Sequence, residues 1–218
     1  TIISLFKDII VLSHQNNLNV YSYNTSEYFK DMGTPSRLLT VKNDINKGEV
    51  IKRSYRNKQK ALFIDRDNTL NKCSQGEYII NINQIKLFEK RIYTFAEIAK
   101  DFDLVILITN QPQISMGKVS WQEVIDINGE MISRCQSLGL NISCFYLCPH
   151  HPNIGFDREI YNLKSACFCR KPLPGLFLEA SYHKNIDLSK SLMIGDSWRD
   201  REVSDTLKME FLDVSKLD

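Results

Sequence analysis

The chain lacks the features that mark several broad classes of protein. Its 218 residues hold 28 lysines and arginines against 26 aspartates and glutamates, and this net charge of +2 gives no indication of nucleic acid or an anionic membrane as a partner. The apolar start, TIISLFKDIIVL, is interrupted by Lys7 and Asp8 and is too short to span a bilayer. It also lacks the basic beginning and small-residue cleavage site of a signal peptide. We therefore expect a cytoplasmic protein that contacts neither membrane nor nucleic acid.

Two further features of the sequence concern its chemistry. No P-loop is present, so side chains and loop amides must hold any bound phosphate. The six cysteines are unevenly placed, with three clustered beside histidines, and in a reducing compartment such a cluster favours a metal over disulfides. The composition is otherwise that of a globular protein, with 43% hydrophobic and 25% charged residues. The length allows one domain of about 150 to 170 residues with an appendage.

The most informative segment is KALFIDRDNTL, residues 60–70. Four apolar residues run directly into Asp65, and Asp67 follows two positions later. An apolar run that ends in acids and turn-forming residues predicts a buried central strand whose carboxyl end lies at a site. An aspartate in this position can also simply cap the next helix.

Further apolar runs alternate with helical periodicity. Strands are predicted at 104–108, 142–147, 192–194 and 209–212, and helices at 85–101, after the Ser120–Glu123 capping box, and at 173–184. This alternation predicts an α/β fold in which helices cover both faces of a parallel sheet. The strands' carboxyl ends share one crevice in such sheets, so Asp65, Asp67, Thr109 and Asp196 should converge.

These residue types suit phosphoryl transfer. Three carboxylates in one crevice repel one another unless a cation joins them, and a hard divalent ion such as Mg2+ fits oxygen ligands. Thr109 and Lys171 would hold an anion, and Asn110 and Gln111 add hydrogen-bonding groups at the end of the second strand. Asp65 is then the expected nucleophile, and Asp67 the group that protonates the leaving oxygen and later activates water.

A second metal site is predicted from two ligand-x-ligand pairs. Cys148 and His150 form the first pair, and Cys167 and Cys169 form the second. Three thiolates and one imidazole are a tetrahedral zinc set with no position open to water, so the site should be structural and should fix the loop at 149–168. The alternative is that these four residues lie in a reduced protein by chance and bind no metal. His151 could also replace His150 as the imidazole ligand.

The motifs FIDRDNTL, ITNQ, CRKP and MIGDSWRD resemble, in order, those of the haloacid dehalogenase (HAD) superfamily of phosphohydrolases over about residues 60–214. The resemblance implies a Rossmann-like sheet, Asp65 as nucleophile and Asp67 as general acid/base. It also implies that Thr109 and Lys171 hold the phosphoryl oxygens. Asp65, the Asp67 carbonyl and Asp196 would bind Mg2+, with Asp200 orienting Lys171 or metal-bound water. Asn68 departs from the usual glycine, but Asn tolerates left-handed backbone.

The string CPHHP followed by CFCRKP resembles the D-glycero-D-manno-heptose-1,7-bisphosphate 7-phosphatases, with the histidinol-phosphate phosphatases next. Both families lack a large cap domain, and here too the 70–85 and 112–140 stretches are too short for one. The resemblance implies that a small phosphorylated sugar is the substrate and that Arg170 contacts its second anionic or polar end. Alternatives are a histidinol-phosphate or other small-molecule phosphatase and, from another class, a non-catalytic module attached to a sugar nucleotidyltransferase.

The first sixty residues carry a separate signal. The string YFKDMGTP, residues 28–35, resembles a segment near the end of sugar-phosphate nucleotidyltransferase domains, although their Gly-rich nucleotide-binding start is missing. We therefore divide the chain into a nucleotidyltransferase-like C-terminal fragment (1–45), a linker (46–59) and a phosphatase domain (60–218). A strand is predicted at Asn19–Tyr23 and a helix after the Gly-Thr-Pro turn. We expect a monomer that can associate with a sugar nucleotidyltransferase and, by this resemblance, prefers the α-1,7-bisphosphate of a GDP-heptose route.

Overall fold

The centre of the protein is a five-stranded parallel sheet. The computed structural model describes residues 9–21, 25, 27–74 and 77–217. The strand order is β3-β2-β1-β4-β5, and each neighbouring pair is parallel. The strands are β1 Ala61–Ile64, β2 Leu104–Asn110, β3 Cys144–Cys148, β4 Leu192–Gly195 and β5 Glu210–Asp213. The predicted α/β fold with a parallel sheet is therefore confirmed.

Helices alternate with these strands from β1 onward, and three of the described helices begin after a capping Thr or Ser. The helices in the described ranges are α1 Leu12–Gln15, α2 Pro35–Asn46, α3 Glu49–Lys52, α4 Glu89–Ile98, α5 Trp121–Ser137, α6 Gly175–Lys184 and α7 Trp198–Leu207. The Ser120 hydroxyl accepts from the Glu123 backbone N–H at 3.2 Å, and the Glu123 carboxylate accepts from the Ser120 N–H at 2.7 Å. This reciprocal cap confirms the predicted start of α5. Gly139, just beyond the helix, has φ +93°, a left-handed conformation that favours glycine and ends the helix.

The core lies on both faces of the sheet. Alternate residues of β1 point to opposite sides, so Leu62 and Ile64 pack with α4 and α5, whereas Ala61 and Phe63 pack with α6 and α7. All four of these strand residues have no exposed surface. A strand that is buried on both faces needs a continuous apolar run, which is why ALFI carries no polar residue.

Three local predictions differ from the structure. Residues 19–21 of the predicted Asn19–Tyr23 strand have no regular structure, and the last two lie outside the described residues. The expected linker at 46–59 contains α3 and is tied to the core, because Asn185 Nδ2 donates to the Ser54 carbonyl oxygen at 2.7 Å. Helix α7 was not predicted. Its first turn carries Asp200, a buried carboxylate that accepts a hydrogen bond from Lys171.

Boundaries shift by a few residues elsewhere. Helix α4 begins at Glu89 rather than 85, and residues 99–101 continue it as a 3-10 turn. Strand β3 begins at Cys144, although Ile142 of the predicted strand is buried all the same. Within the described ranges, the connections that follow β1 and β2 contain no cap-sized insertion. None of the described helices has the length and apolar character needed to cross a membrane.

Candidate active site

The carboxyl ends of β1, β2 and β4 bring together residues that are far apart in sequence. Asp65 follows β1, and its backbone N–H donates to the carbonyl of Ile194 on β4 at 3.0 Å. The Lys171 ammonium lies between two carboxylates, 2.7 Å from Asp65 Oδ1 and 2.6 Å from Asp200 Oδ1. It also donates to the carbonyl of Ile108 on β2 at 3.2 Å. One buried cation therefore joins three elements at the point where the sequence predicted a site.

Burial and mutual charge set the protonation of this group. Burial raises the pKa of Asp65 to about 7, an effect that Lys171 opposes and that the neighbouring Asp200 reinforces. Burial lowers the pKa of Lys171, but the carboxylates of Asp200 and Asp65 outweigh it, so the net direction is upward. Lys171 is thus held as a cation, whereas Asp65 is poised between its two protonation states near neutral pH.

Asp196 and Asp200 complete an acidic cluster at the end of β4. Carboxylate oxygens of Asp65, Asp196 and Asp200 lie within 4.8 Å of one another. The pKa of Asp196 is raised, first by burial and then by Asp200. Gly195 permits this arrangement, because a Cβ there would lie 2.6 Å from Asp200 Cγ. The second Asp200 oxygen accepts from the Ser197 hydroxyl at 2.5 Å, which fixes the carboxylate at the start of α7.

Asp67 is held by nitrogen donors on two sides. Arg66 donates from Nε to Asp67 Oδ1 at 3.0 Å and from Nη2 to Oδ2 at 2.9 Å. Gln111 Nε2 donates to the same Oδ2 at 3.1 Å. The Asp67 side chain is 25% exposed, whereas that of Arg66 is fully buried. The carboxylate therefore reaches the crevice from a fixed, buried support.

The polar residues at the end of β2 have different surroundings. Thr109 is buried, and its hydroxyl oxygen accepts from Gln111 Nε2 at 2.8 Å, which leaves the hydroxyl proton free to be donated. Asn110 exchanges two hydrogen bonds with the backbone of Lys171, at 3.0 and 3.1 Å. The Gln111 carbonyl accepts from Gln113. The amide groups of Asn110 and Gln111 are thus engaged within the protein and support Lys171 and Asp67.

Asn68 has φ +59°, the left-handed conformation expected for the position where the HAD superfamily usually has glycine. Its Oδ1 accepts from the Cys73 backbone N–H at 3.0 Å and so closes the following turn. Asn68 also forms one wall of an open cavity of about 610 Å3. The other lining residues that bear on binding are two lysines and two aromatic rings, Lys72, Lys86, Tyr78 and Phe88.

The four predicted zinc ligands lie together beyond β3. The sulfur atoms of Cys148, Cys167 and Cys169 are 3.2 to 3.5 Å apart, and His150 Nδ1 lies 3.2 Å from the Cys169 sulfur. Hydrogen bonding from the other thiols lowers the pKa of Cys169 to about 5. His151 is excluded from this cluster, because its Nδ1 faces the Asn153 carbonyl at 3.5 Å.

The segment that follows the cysteine cluster leads directly to Lys171. Arg170, between Cys169 and Lys171, is half-buried and donates from Nη1 to the His150 carbonyl at 3.1 Å. The same short segment therefore supplies a cluster ligand, a guanidinium and the buried ammonium. Lys171 is therefore only two residues from a member of the cysteine cluster.

Sequence reasoning missed the support of Asp67. Arg66 Nη1 donates to Asn128 Oδ1 of α5 at 3.1 Å, and Gln113 is fully buried behind Gln111. Asn128 had a detectable signal, because it lies on the buried face of α5 between Val124 and Met131. A polar residue in an apolar helical stripe indicates a buried hydrogen-bonding partner.

Comparison with known proteins places these observations in a family. The chain is 32% identical over 149 residues to a D-glycero-beta-D-manno-heptose-1,7-bisphosphate 7-phosphatase of Photorhabdus laumondii, covering 68% of this chain and 76% of the relative. A Yersinia pestis protein of the same name is 31% identical over 144 residues, covering 66% and 73%. No protein-family model matches the chain.

Solved structures share the fold. A HAD-like phosphatase from Mesorhizobium loti superposes with a TM-score of 0.63 at 25% identity, over 70% of each chain. A D,D-heptose 1,7-bisphosphate phosphatase from B. bronchiseptica, complexed with magnesium and phosphate, superposes with a TM-score of 0.59 at 24% identity. That alignment covers 70% of this chain and 78% of the other.

Proposed function

Because this chain belongs to the heptose-1,7-bisphosphate phosphatase family of the HAD superfamily and is a phosphoric monoester hydrolase, we propose that it removes the 7-phosphate of D-glycero-D-manno-heptose 1,7-bisphosphate. The observation that carries the proposal is the convergence of Asp65, Asp196, Asp200 and Lys171 beside Asp67. The names of the relatives support a heptose bisphosphate as the substrate. The cysteine cluster preceding Lys171 is the feature that first indicated this family in the sequence.

The reaction that this geometry supports has two displacements. A carboxylate oxygen of Asp65 attacks the phosphorus, the bond to the sugar oxygen breaks, and Asp67 gives its proton to that oxygen. This forms an aspartyl-phosphate. Asp67 then takes a proton from water, the water oxygen attacks the phosphorus, and inorganic phosphate leaves as Asp65 is restored. Lys171 favours the ionised nucleophile, and the Thr109 hydroxyl proton is free to bind a phosphoryl oxygen.

The acidic cluster fits a hard divalent cation. Its oxygen atoms lie within 4.8 Å of one another, and Lys171 neutralises only the side shared by Asp65 and Asp200. We propose that Asp65, Asp196 and the Asp67 carbonyl hold Mg2+, which when bound would offset the charge of the phosphate. Asp200 instead orients Lys171, because one of its oxygens is 2.6 Å from the ammonium and the other is bonded to Ser197.

The cysteine cluster fits a structural zinc ion. Its donor set of three sulfurs and one imidazole nitrogen matches the tetrahedral preference of zinc. Among the described residues, the cluster has no fifth His, Cys, Asp or Glu ligand. We propose that zinc fixes the 149–168 loop and, through Arg170, the side of the crevice that receives the sugar.

The cavity bordered by Asn68 is our proposed site for the sugar and its second phosphate. Lys72 and Lys86 are adjacent across a backbone hydrogen bond from Lys72 N to Lys86 O of 2.8 Å, so two cations are presented together. The Lys72 ammonium is 5.4 Å from the Phe88 ring centroid, which restricts its position. We propose from the family resemblance that Arg170, next to the cysteine cluster, contacts the second anionic or polar end of the substrate.

The N-terminal segment supports a separate proposal, that this chain associates with a second protein. Apolar side chains of α2 and its surroundings are exposed, including Phe29 at 92% and Leu39 at 60%. Thr34 caps α2, and Asp31 pairs with Arg37, so the DMGTP segment forms an ordered turn. We propose that the isolated phosphatase is a monomer and that this segment contacts a sugar nucleotidyltransferase. Light scattering of the protein with and without such an enzyme tests both.

A substrate panel tests the function. Initial rates with Mg2+ and with EDTA should be measured on the α- and β-anomers of the 1,7-bisphosphate and on histidinol phosphate. We expect kcat/KM to be highest for a heptose bisphosphate and to vanish with EDTA. The N-terminal resemblance favours the α-anomer, whereas the relatives are named for the β-anomer, so the ratio of the two constants decides between them. A higher kcat/KM for histidinol phosphate would reject the proposed substrate.

A further inference from the structure

Arg66 is a fully buried cation that the proposed reaction does not use. Its guanidinium has no exposed surface, yet it lies one residue from the nucleophile. Burying a guanidinium is unfavourable unless its hydrogen bonds are well satisfied. Three of its nitrogens donate, two of them to the Asp67 carboxylate and one to Asn128 Oδ1.

The fork geometry determines what Arg66 does to Asp67. Two parallel N–H donors of a planar guanidinium fix both the position and the rotation of a carboxylate, which a lysine ammonium cannot do. Gln111 adds a third donor, at 3.1 Å from Asp67 Oδ2. The plane of the Asp67 carboxylate is therefore specified by its neighbours.

Asn128 accepts a hydrogen bond from the Arg66 guanidinium, although burying its amide group destabilises the core. It is fully buried on α5, and in the described part of the chain its Nδ2 has no hydrogen-bonding partner. A buried amide with one unsatisfied end destabilises the fold relative to an apolar residue of similar size. Leucine would suit this apolar face better, so the hydrogen bond to Arg66 accounts for an asparagine at this position.

We propose that Arg66 is a positioning residue for Asp67, and that Asn128 holds Arg66 in place. The inference rests on the proposed acid/base role of Asp67. That residue must place its carboxyl group within hydrogen-bonding reach of the leaving oxygen, and small displacements of a catalytic group reduce the rate about 100-fold. Arg66 acts on the reaction only through this placement.

Leaving-group dependence tests the proposal. A sugar alkoxide needs a proton from Asp67 as it leaves, whereas 2,4-dinitrophenolate does not. For Arg66→Met we expect kcat/KM on the preferred sugar phosphate, which reports formation of the aspartyl-phosphate, to fall about 100-fold. The fall on 2,4-dinitrophenyl phosphate should be much smaller. Arg66→Lys should recover little of the lost sugar-phosphate rate, because it restores the charge without the fork.

Two further variants keep the test decisive. Asn128→Leu preserves the guanidinium and the packing, so it should fold and still show the same selective loss, to a smaller extent. Arg134→Met, on the exposed side of the same helix, should leave both rates unchanged. Equal losses on the two substrates, or a faster sugar-phosphate rate, would overturn the proposal. If Asp67→Asn itself keeps the sugar-phosphate rate, the proposed function fails instead.

Discussion

Replacing Lys171 with methionine should destabilise the protein strongly, because Met keeps the length of the side chain and removes the charge. The ammonium is 3% exposed and lies 2.7 Å from Asp65 and 2.6 Å from Asp200. Its loss leaves two carboxylates facing each other in a buried crevice. Breaking a buried pair by removing one partner costs about 3 to 5 kcal/mol. For a chain of this size that corresponds to a fall in Tm of roughly 6 to 20 °C.

The pH dependence of the loss has a defined sign. The pKa of Asp65 is already raised to about 7 with Lys171 present, and removing the cation raises it further. At pH 5 the carboxyl group takes a proton and the repulsion is relieved, so the destabilisation should be smaller than at pH 8. Asp200→Asn in the same chain should restore part of the lost stability at pH 8, because it removes one of the two unpaired charges.

Urea unfolding followed by circular dichroism measures these differences. Lys100→Met is the control, since that lysine is 67% exposed and its pair with Glu97 lies at the surface. It should change the free energy of unfolding by less than about 1 kcal/mol. The reasoning is refuted if Lys171→Met costs no more than this control, or if its cost is greater at pH 5 than at pH 8.

Three other predictions concern metals and specificity. Zinc should be bound at one equivalent per chain, and Cys167→Ser should abolish zinc binding and speed proteolysis within 149–168. The control Cys144→Ser, outside the cluster, should do neither. Protein that is purified without chelator and contains no zinc would contradict this prediction. Without metal, the raised pKa of Asp65 makes a stabilising contribution that is complete below the pKa of an unfolded Asp and is lost as pH rises through about 7. Mg2+ needs the ionised carboxylate, so calorimetry should show its affinity weakening about tenfold per pH unit below that pKa, and a pH-independent affinity would be the contrary result. Lys72→Met should lower kcat/KM about tenfold, or about 1.4 kcal/mol, for the bisphosphate but not for heptose 7-phosphate, with Lys90→Met as control; equal effects on both substrates would remove Lys72 from the second-phosphate site.

Much of the site was predictable because it depends on topology alone. Once apolar runs alternate with helices, the ends of parallel strands must meet, so Asp65 and Asp196 converge although 130 residues lie between them in the sequence. The cysteine cluster was predictable because ligand spacing and residue type specify a metal with little reference to the fold. Asp65 and Asp196 directly follow strands and Cys148 ends one, whereas Cys167 and Cys169 lie outside the strands.

The remainder depends on side-chain packing, which periodicity does not encode. The pairing of Arg66 with Asn128 requires α5 to lie against the end of β1, a contact between segments about 60 residues apart. The expected linker contains the short helix α3, and a polar composition does not reveal that Asn185 binds the backbone of this segment. Helix α7 was missed because it is strongly polar, with few apolar residues to set a period.

The most direct test of the central claim is a 31P NMR time course on heptose 1,7-bisphosphate with Mg2+, run in parallel for the wild type and Asp65→Asn. We predict that the wild type releases the 7-phosphate and accumulates heptose 1-phosphate and inorganic phosphate. The variant should be folded and slower by at least about 100-fold, the scale on which loss of a catalytic group acts. Release of the 1-phosphate, or turnover by Asp65→Asn at a rate near that of the wild type, would contradict the account.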